Sequence, residues 1–209
     1  MFISAGANNM KKWLFSIAIV ATLFLTACPK EQELVRFSKS VAMLHYPEGN
    51  PVKRCTVFAV ARELTGTRFV TAGHCVESNP GPEGPYFISF NHETFYPAVV
   101  LKHGERNPDI ALLFVKGLYI KPLPFGETPK RGDVVAVFVG PDRLAIGAVS
   151  AIVEEGFMVG VDAVPGGSGA PVIKEGKVVG VLVTGGKTVF GFQIGAVRIE
   201  EVKAFISAL

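Results

Sequence analysis

The sequence predicts an all-β protein of two units, each of about six short strands, followed by a C-terminal helix. Three observations carry this. Short apolar segments rich in β-branched and aromatic residues recur between Gly, Pro and charged turns. A stretch with three prolines, "KGLYIKPLPFGETPKRGD" (116–133), divides them into two groups. The ending "VRIEEVKAFISAL" places Ile199, Val202, Phe205, Ile206 and Leu209 at helical intervals, as an amphipathic helix docked on the body requires. With 209 residues, 49% apolar and 19% charged, the chain can build a real core.

The first element is unlike the rest. "MKKWLFSIAIVATLFLTAC" (10–28) joins two lysines to an uncharged apolar run from Trp13 to Leu25. That run is short of the about 20 residues that span a bilayer, and its position reads as an export signal, with Met10 a candidate start. A cut before Cys28 puts Leu25 at −3, where ordinary signal peptidase wants a small residue. "Leu25-Thr26-Ala27-Cys28" instead resembles the lipobox of bacterial lipoproteins. The resemblance implies a signal over 1–28, a cut before Cys28 and a lipid on that cysteine. The +2 residue is Pro29, not the aspartate that resembles an inner-membrane retention signal, so the expected place is the outer membrane or periplasm of a bacterial envelope. A secreted soluble protein is the alternative. Residues 29–40 are polar and read as a tether.

With Cys28 acylated, Cys55 and Cys75 remain as an even pair in an oxidising compartment. A bridge between them would contribute roughly 3 kcal/mol. A zinc site from these cysteines and the histidines is the competitor, without C-x-x-C or H-x-x-x-H spacing behind it. The net charge of +3 falls to +1 once Lys11 and Lys12 leave, and there is no dense basic cluster, so nucleic acid is not an expected partner.

The strands come next. Apolar segments at 41–45, 56–62, 68–72, 86–90, 95–101 and 110–115 define a first unit over 41–120. Those at 134–139, 144–153, 157–163, 170–174, 178–184 and 188–195 define a second over 121–197, and the helix takes 198–209. "KEGK" (174–177) lies between two apolar runs as a hairpin turn.

One turn is unusual. "VPGGSGAPV" (164–172) sets a single hydroxyl, Ser168, among three glycines and two prolines. A flexible hairpin loop accounts for such a composition; so does a backbone bent closely around the serine, leaving its oxygen exposed. Serine is a weak nucleophile until a base takes its proton, and histidine suits that work near neutral pH. Of the four histidines, His74 alone lies in a positioned setting, "RFVTAGHCV", at the end of an apolar strand beside Cys75. A carboxylate must then hold the imidazole tautomer. Asp109 in "NPDIALLFV" leads a long apolar strand that would fix it rigidly, though a strand-start cap looks the same.

"Thr71-Ala72-Gly73-His74-Cys75", "Asp109-Ile110-Ala111-Leu112-Leu113" and "Gly166-Gly167-Ser168-Gly169-Ala170-Pro171", in that order, resemble the trypsin-like serine proteases. The resemblance covers roughly residues 38–200. It implies two six-stranded antiparallel Greek-key barrels with a catalytic site of His74, Asp109 and Ser168 in the cleft between them. It implies also an oxyanion hole from the backbone N–H groups of Gly166 and Ser168, and a disulfide from the cysteine after the histidine. Peptide bonds of envelope proteins are then the substrates, by way of an acyl-enzyme, and no cofactor or metal is called for. A triad-bearing lipoprotein that binds peptides without turnover is the alternative function. The serine loop also nearly matches the G-x-S-x-G elbow of α/β-hydrolases, but that fold needs a helix after the serine and its histidine last. Here Pro171 follows and no histidine lies beyond His103.

Two departures from the trypsin-like pattern matter. Gly167 stands where many members carry an aspartate, which in digestive members pairs with a newly cut N-terminus, and Ala170 replaces a glycine. An acylated Cys28 has no free amine to insert, so no activation cut is expected. Asp162 lies six residues before Ser168, where relatives cleaving after Lys or Arg carry an acid, and where other bacterial relatives merely end a strand. Thr184, Gly185 and Gly186 are expected to form the opposite wall of the pocket, pairing with extended substrate by strand addition.

Overall fold

The computed structural model describes residues 35, 37–46, 55–77, 84–104, 108–161, 165–188 and 191–208. The expected export signal, Cys28 and Asp162 lie outside them. Among the described residues no helix is long and apolar enough to cross a membrane. Strands β1 (Val41–His45), β2 (Cys55–Arg62), β3 (Gly66–Thr71), β4 (Tyr86–Ser89), β5 (Tyr96–His103) and β6 (Ala111–Lys116) close into a barrel in the order β1-β2-β3-β6-β5-β4. Strands β7 (Val134–Val139), β8 (Arg143–Val153), β9 (Gly156–Gly160), β10 (Pro171–Lys174), β11 (Lys177–Thr188) and β12 (Gly191–Arg198) close a second, in which β7-β8-β9-β12-β11-β10 repeats the same winding. All neighbours within each barrel are antiparallel. Closure removes the open edges that a sheet of this size would otherwise present.

Alternation explains the interiors. Val135, Val137 and Val139 point inward while Val134, one residue away, is 66% exposed. Phe157, Val159, Val172 and Ile194 fill the second barrel, and Leu44, Val57, Phe69, Tyr86 and Leu113 the first. Register shifts at 59/61, 100/102, 149/151, 172/173 and 182/184 bend the strands enough to close the cylinders. The expected hairpin at 174–177 is present: Glu175 and Gly176 both have positive φ (50° and 74°), the mirror-image turn whose twist matches paired strands.

Two segments differ from their expected character. The polar tether stops short of residue 40, because Phe37 is buried with its ring 5.0 Å from that of Phe138 and Ser40 donates to the Lys121 carbonyl (2.7 Å). A single aromatic among polar neighbours was enough to anchor the segment. The proline-bearing linker is laced to both barrels: the Leu123 N–H donates to the Ala59 carbonyl (3.0 Å), and the Gly126 N–H to that of Val178 (2.8 Å). After Arg198, a helix (Ile199–Ser207) buries Ile199, Val202 and Phe205. Lys102 of β5 caps it, donating to the Phe205 carbonyl (3.2 Å) with its ammonium 4.4 Å above that ring.

Candidate active site

At the end of β3 the chain enters a single helical turn, α1 (His74–Glu77), where the Val76 N–H donates to the Gly73 carbonyl (2.9 Å). This turn carries His74 to Asp109, which stands just ahead of β6. Both oxygens of one carboxylate hold one residue. Asp109 Oδ1 accepts the His74 main-chain N–H (2.8 Å), and Oδ2 lies 2.8 Å from the His74 ring Nδ1. Gly73 makes this approach possible, since a Cβ there would lie 2.9 Å from Asp109 Oδ1 and 2.7 Å from the Gly104 carbonyl oxygen. Asp109 is held in turn by its neighbours: the Ile110 N–H donates to the Pro108 carbonyl and the Ile110 carbonyl accepts the Gly104 N–H (2.8 Å each). Ile110 is fully buried, so the carboxylate rides on a rigid base.

Cys55 and Cys75 form a disulfide with Cα atoms 6.3 Å apart. Their sulfurs and a ring nitrogen of His74 lie within 4.8 Å of one another, but each sulfur is spent on the other and offers no thiolate to a metal. The geometry therefore decides between the two readings of this pair in favour of the bridge. Tyr46 covers it, its hydroxyl donating to the Cys75 carbonyl (2.5 Å). Burial, and secondarily the adjacent Tyr86, push the Tyr46 phenol up to about 12, so it remains a donor at any working pH.

The serine loop is built from the backbone. Gly166 and Gly169 both have positive φ (86° and 83°), which L side chains rarely adopt. A Cβ on Gly169 would also run into the Thr56 carbonyl oxygen and Thr71 Oγ1. The Ala170 N–H donates to the Gly167 carbonyl (2.8 Å), and the Gly169 N–H to that of Leu182 (2.7 Å). A trans peptide aims its N–H opposite to its C=O, so the Ser168 N–H points away from Ala170. The Ser168 carbonyl accepts the Thr56 N–H (2.8 Å). Thr56 follows Cys55, and Cys55 is bonded to Cys75, the neighbour of His74. One hydrogen bond and one disulfide thus connect the serine loop of the second barrel to the histidine of the first.

Of the expected site residues, His74 and Asp109 are in direct contact, and Ser168 and Gly166 are tied to the same place through Thr56. Thr184, Gly185 and Gly186 lie in β11, paired with Gly195, Ile194 and Gln193 of β12. A groove of about 660 Å³ opens beside His74 and Asp109, and Glu77, Glu154, Glu155 and Glu201 line it, with no lysine or arginine among the described residues of its walls. The sequence reading missed Thr56 and these glutamates. "VEEGF" at the β8–β9 turn was a visible acidic pair, but nothing local told where that turn would stand.

The fold and the His74–Asp109 contact can now be set beside known proteins. The family model described as "Trypsin-like peptidase domain" matches residues 55–181, more than half of the chain. The chain belongs to the trypsin-like peptidases. As a member of that family it is a serine-type protease. Among solved structures, the inactive form of the Rv3671c protease of Mycobacterium tuberculosis is 18% identical, with TM-score 0.66 over 85% of this chain and 92% of that one. A serine-to-alanine mutant of the same protein, also inactive, gives 19% identity and TM-score 0.66 over 84% and 89%. The serine endoprotease of Yersinia pestis is 15% identical with TM-score 0.71, covering 85% of this chain and 65% of the other. At such identities these likenesses speak for the fold. No curated protein sequence matches this trypsin-like peptidase.

Proposed function

We propose that this peptidase is an endopeptidase working by a Ser168–His74–Asp109 triad through an acyl-enzyme, held at a bacterial envelope membrane by a lipid on Cys28. The observation that carries it is the double grip of Asp109 on His74, which orients the ring through Nδ1 and leaves Nε2 as the basic nitrogen. Ser168 Oγ attacks the scissile carbonyl carbon while its proton passes to His74 Nε2. The negative charge on the carbonyl oxygen is met by the N–H groups of Gly166 and Ser168, each such donor being worth about 3 kcal/mol in the transition state. The tetrahedral species collapses, the C–N bond breaks, and the leaving amine takes the proton from His74. Water then attacks the ester with His74 again as base, releasing the acid and restoring Ser168. Gly167 supplies no carboxylate for a new N-terminus, so this chain works without an activating cut.

An extended substrate has a backbone to dock against. β10 stops pairing with β11 at Val181, and among the described residues Thr184–Thr188 has a strand partner only on its β12 side. Strand addition on the other side is the recognition mode this supports. The decisive experiment is labelling with a fluorophosphonate probe: the full chain is labelled at Ser168. A folded protein that takes no label leaves a peptide-binding module instead.

The carboxylates of the groove add a second expectation. Peptides carrying Lys or Arg near the scissile bond are cleaved with higher kcat/KM than matched peptides carrying Glu, and the ratio falls as salt rises, because exposed charges are screened over about 8 Å at physiological ionic strength. Reporter peptides with Lys, Arg, Glu and Leu at two salt concentrations measure this. A ratio near one, unmoved by salt, overturns it.

A further inference from the structure

One buried side chain sits where the two halves of the site meet. Thr56, on β2 of the first barrel, is 0% exposed. Its main-chain N–H donates to the Ser168 carbonyl (2.8 Å). Its Oγ1 donates to the Gly166 carbonyl (2.7 Å) and accepts the Gly140 N–H (2.9 Å). Its carbonyl accepts the Thr71 hydroxyl (2.8 Å). Three of these four partners belong to the second barrel. Within the first, Thr71 ends the strand that leads to His74.

The pattern is more than a well-satisfied core hydroxyl. Gly166 and Ser168 flank Gly167, and one residue holds the carbonyls on both sides of it. The carbonyl between them is fixed by the Ala170 N–H. Three consecutive peptide planes around the nucleophile are therefore set, two of them by Thr56. The main-chain bond to Ser168 is open to any residue except proline. The hydroxyl bridge from Gly140 to Gly166 needs Thr or Ser.

We propose that Thr56 is a positioning residue, whose hydroxyl bolts the serine loop to the first barrel and so fixes Ser168 relative to His74. This rests on Ser168 being the nucleophile. Losing the hydroxyl leaves the Gly166 carbonyl and the Gly140 N–H without a buried partner, and the loop regains freedom in the peptide planes that carry the reacting groups. Misplacement of about 1 Å in such a constellation costs about 100-fold in rate. A merely structural hydroxyl, by contrast, would lower the melting temperature and leave turnover per folded molecule alone.

The test compares the full chain with Thr56→Val, Thr56→Ala and Thr56→Ser. Fluorophosphonate labelling rate, kcat, KM and the pH profile are measured below each variant's melting temperature. In Thr56→Val and Thr56→Ala, kcat and labelling rate fall roughly 10- to 100-fold, while KM stays within about threefold. The pH midpoint stays put because the His74–Asp109 pair is untouched. Thr56→Ser recovers to within about threefold of the parent. If Thr56→Val does not fold, the ratio of Thr56→Ser to Thr56→Ala decides. A folded hydroxyl-free variant with parental kcat and labelling rate overturns the proposal, as does an equal loss in Thr56→Ser. A parent chain that takes no label at all fails the protease reading itself, whereas equal labelling of parent and Thr56→Val fails this inference alone.

Discussion

Ser168→Ala and His74→Ala each lower kcat about 10⁶-fold, and the double variant falls no further. In the proposed triad the reason lies in how the parts depend on one another. Without His74, the proton of the Ser168 hydroxyl has no acceptor, and the alcohol is too weak a nucleophile to attack an amide. Without Ser168, the base held by Asp109 has nothing to activate. Either loss removes the acyl-enzyme route entirely, so the second substitution finds nothing left to destroy. What survives is the effect of binding and of the N–H groups at Gly166 and Ser168, which still favours the transition state over reaction in water by about 10³- to 10⁴-fold. Single-turnover rates on one reporter peptide, with circular dichroism to show that each variant folds, make the measurement. Two losses that multiply would mean the residues act independently, and the triad would be the wrong description.

Most of the fold could be read from the chain because its cues are local. Val134 and Val135 differ in one position and in almost all their exposure, which is what a half-buried strand imposes on neighbours. The turn at 174–177 announced itself because Gly at its second central position tolerates the positive φ that the hairpin needs. Strand ends were less legible, since pairing sets them. Cys55 joins β2 because Leu44 lies opposite it, and β12 runs on to Arg198 because Gly180 does. The candidate site divides in the same way. His74, Asp109 and Ser168 stand in recognisable local settings, so they could be named without the fold. Thr56 could not, because its hydroxyl acts on Gly166 across 110 residues of sequence. The glutamates of the groove come from α1, the β8–β9 turn and the C-terminal helix, and only folding brings them to one wall.

That division has a physical basis in the two barrels. Each repeats one winding, and each could in principle vary its strands while keeping its interior apolar. The proposed triad, however, sits on the connections between strands: the turn after β3, the approach to β6, the loop before β10. Ala72, Val76, Ile110 and Ala170 anchor them in the cores, and directed contacts then aim the polar groups. The Cys55–Cys75 bridge, the Thr56 hydrogen bonds and the Asp109 carboxylate serve this purpose. A substitution at any of them should therefore change turnover more than it changes the barrels.

Asp109→Asn shows the most specific form of this effect: kcat falls about 10⁴-fold with the fold intact, the cost of that change in a related triad. In the parent, Oδ1 accepts the His74 main-chain N–H and Oδ2 faces Nδ1. Only an oxygen suits the first contact. An asparagine that keeps it must turn its NH₂ toward the ring, where a donor now demands that Nδ1 be the acceptor. The imidazole proton then moves to Nε2, and the nitrogen facing the serine is no longer a base. The parent's activity rises with pH as His74 loses its proton, because only the neutral ring can take a proton from Ser168. The variant stays slow throughout that range, because deprotonation delivers the wrong tautomer. Asp109→Ala separates the two losses: it removes the carboxylate without imposing a donor. Comparing kcat–pH profiles of the three proteins tests the geometry directly, and an Asp109→Asn enzyme that keeps more than about a tenth of parental kcat would mean that the pair seen at 2.8 Å does not govern the base.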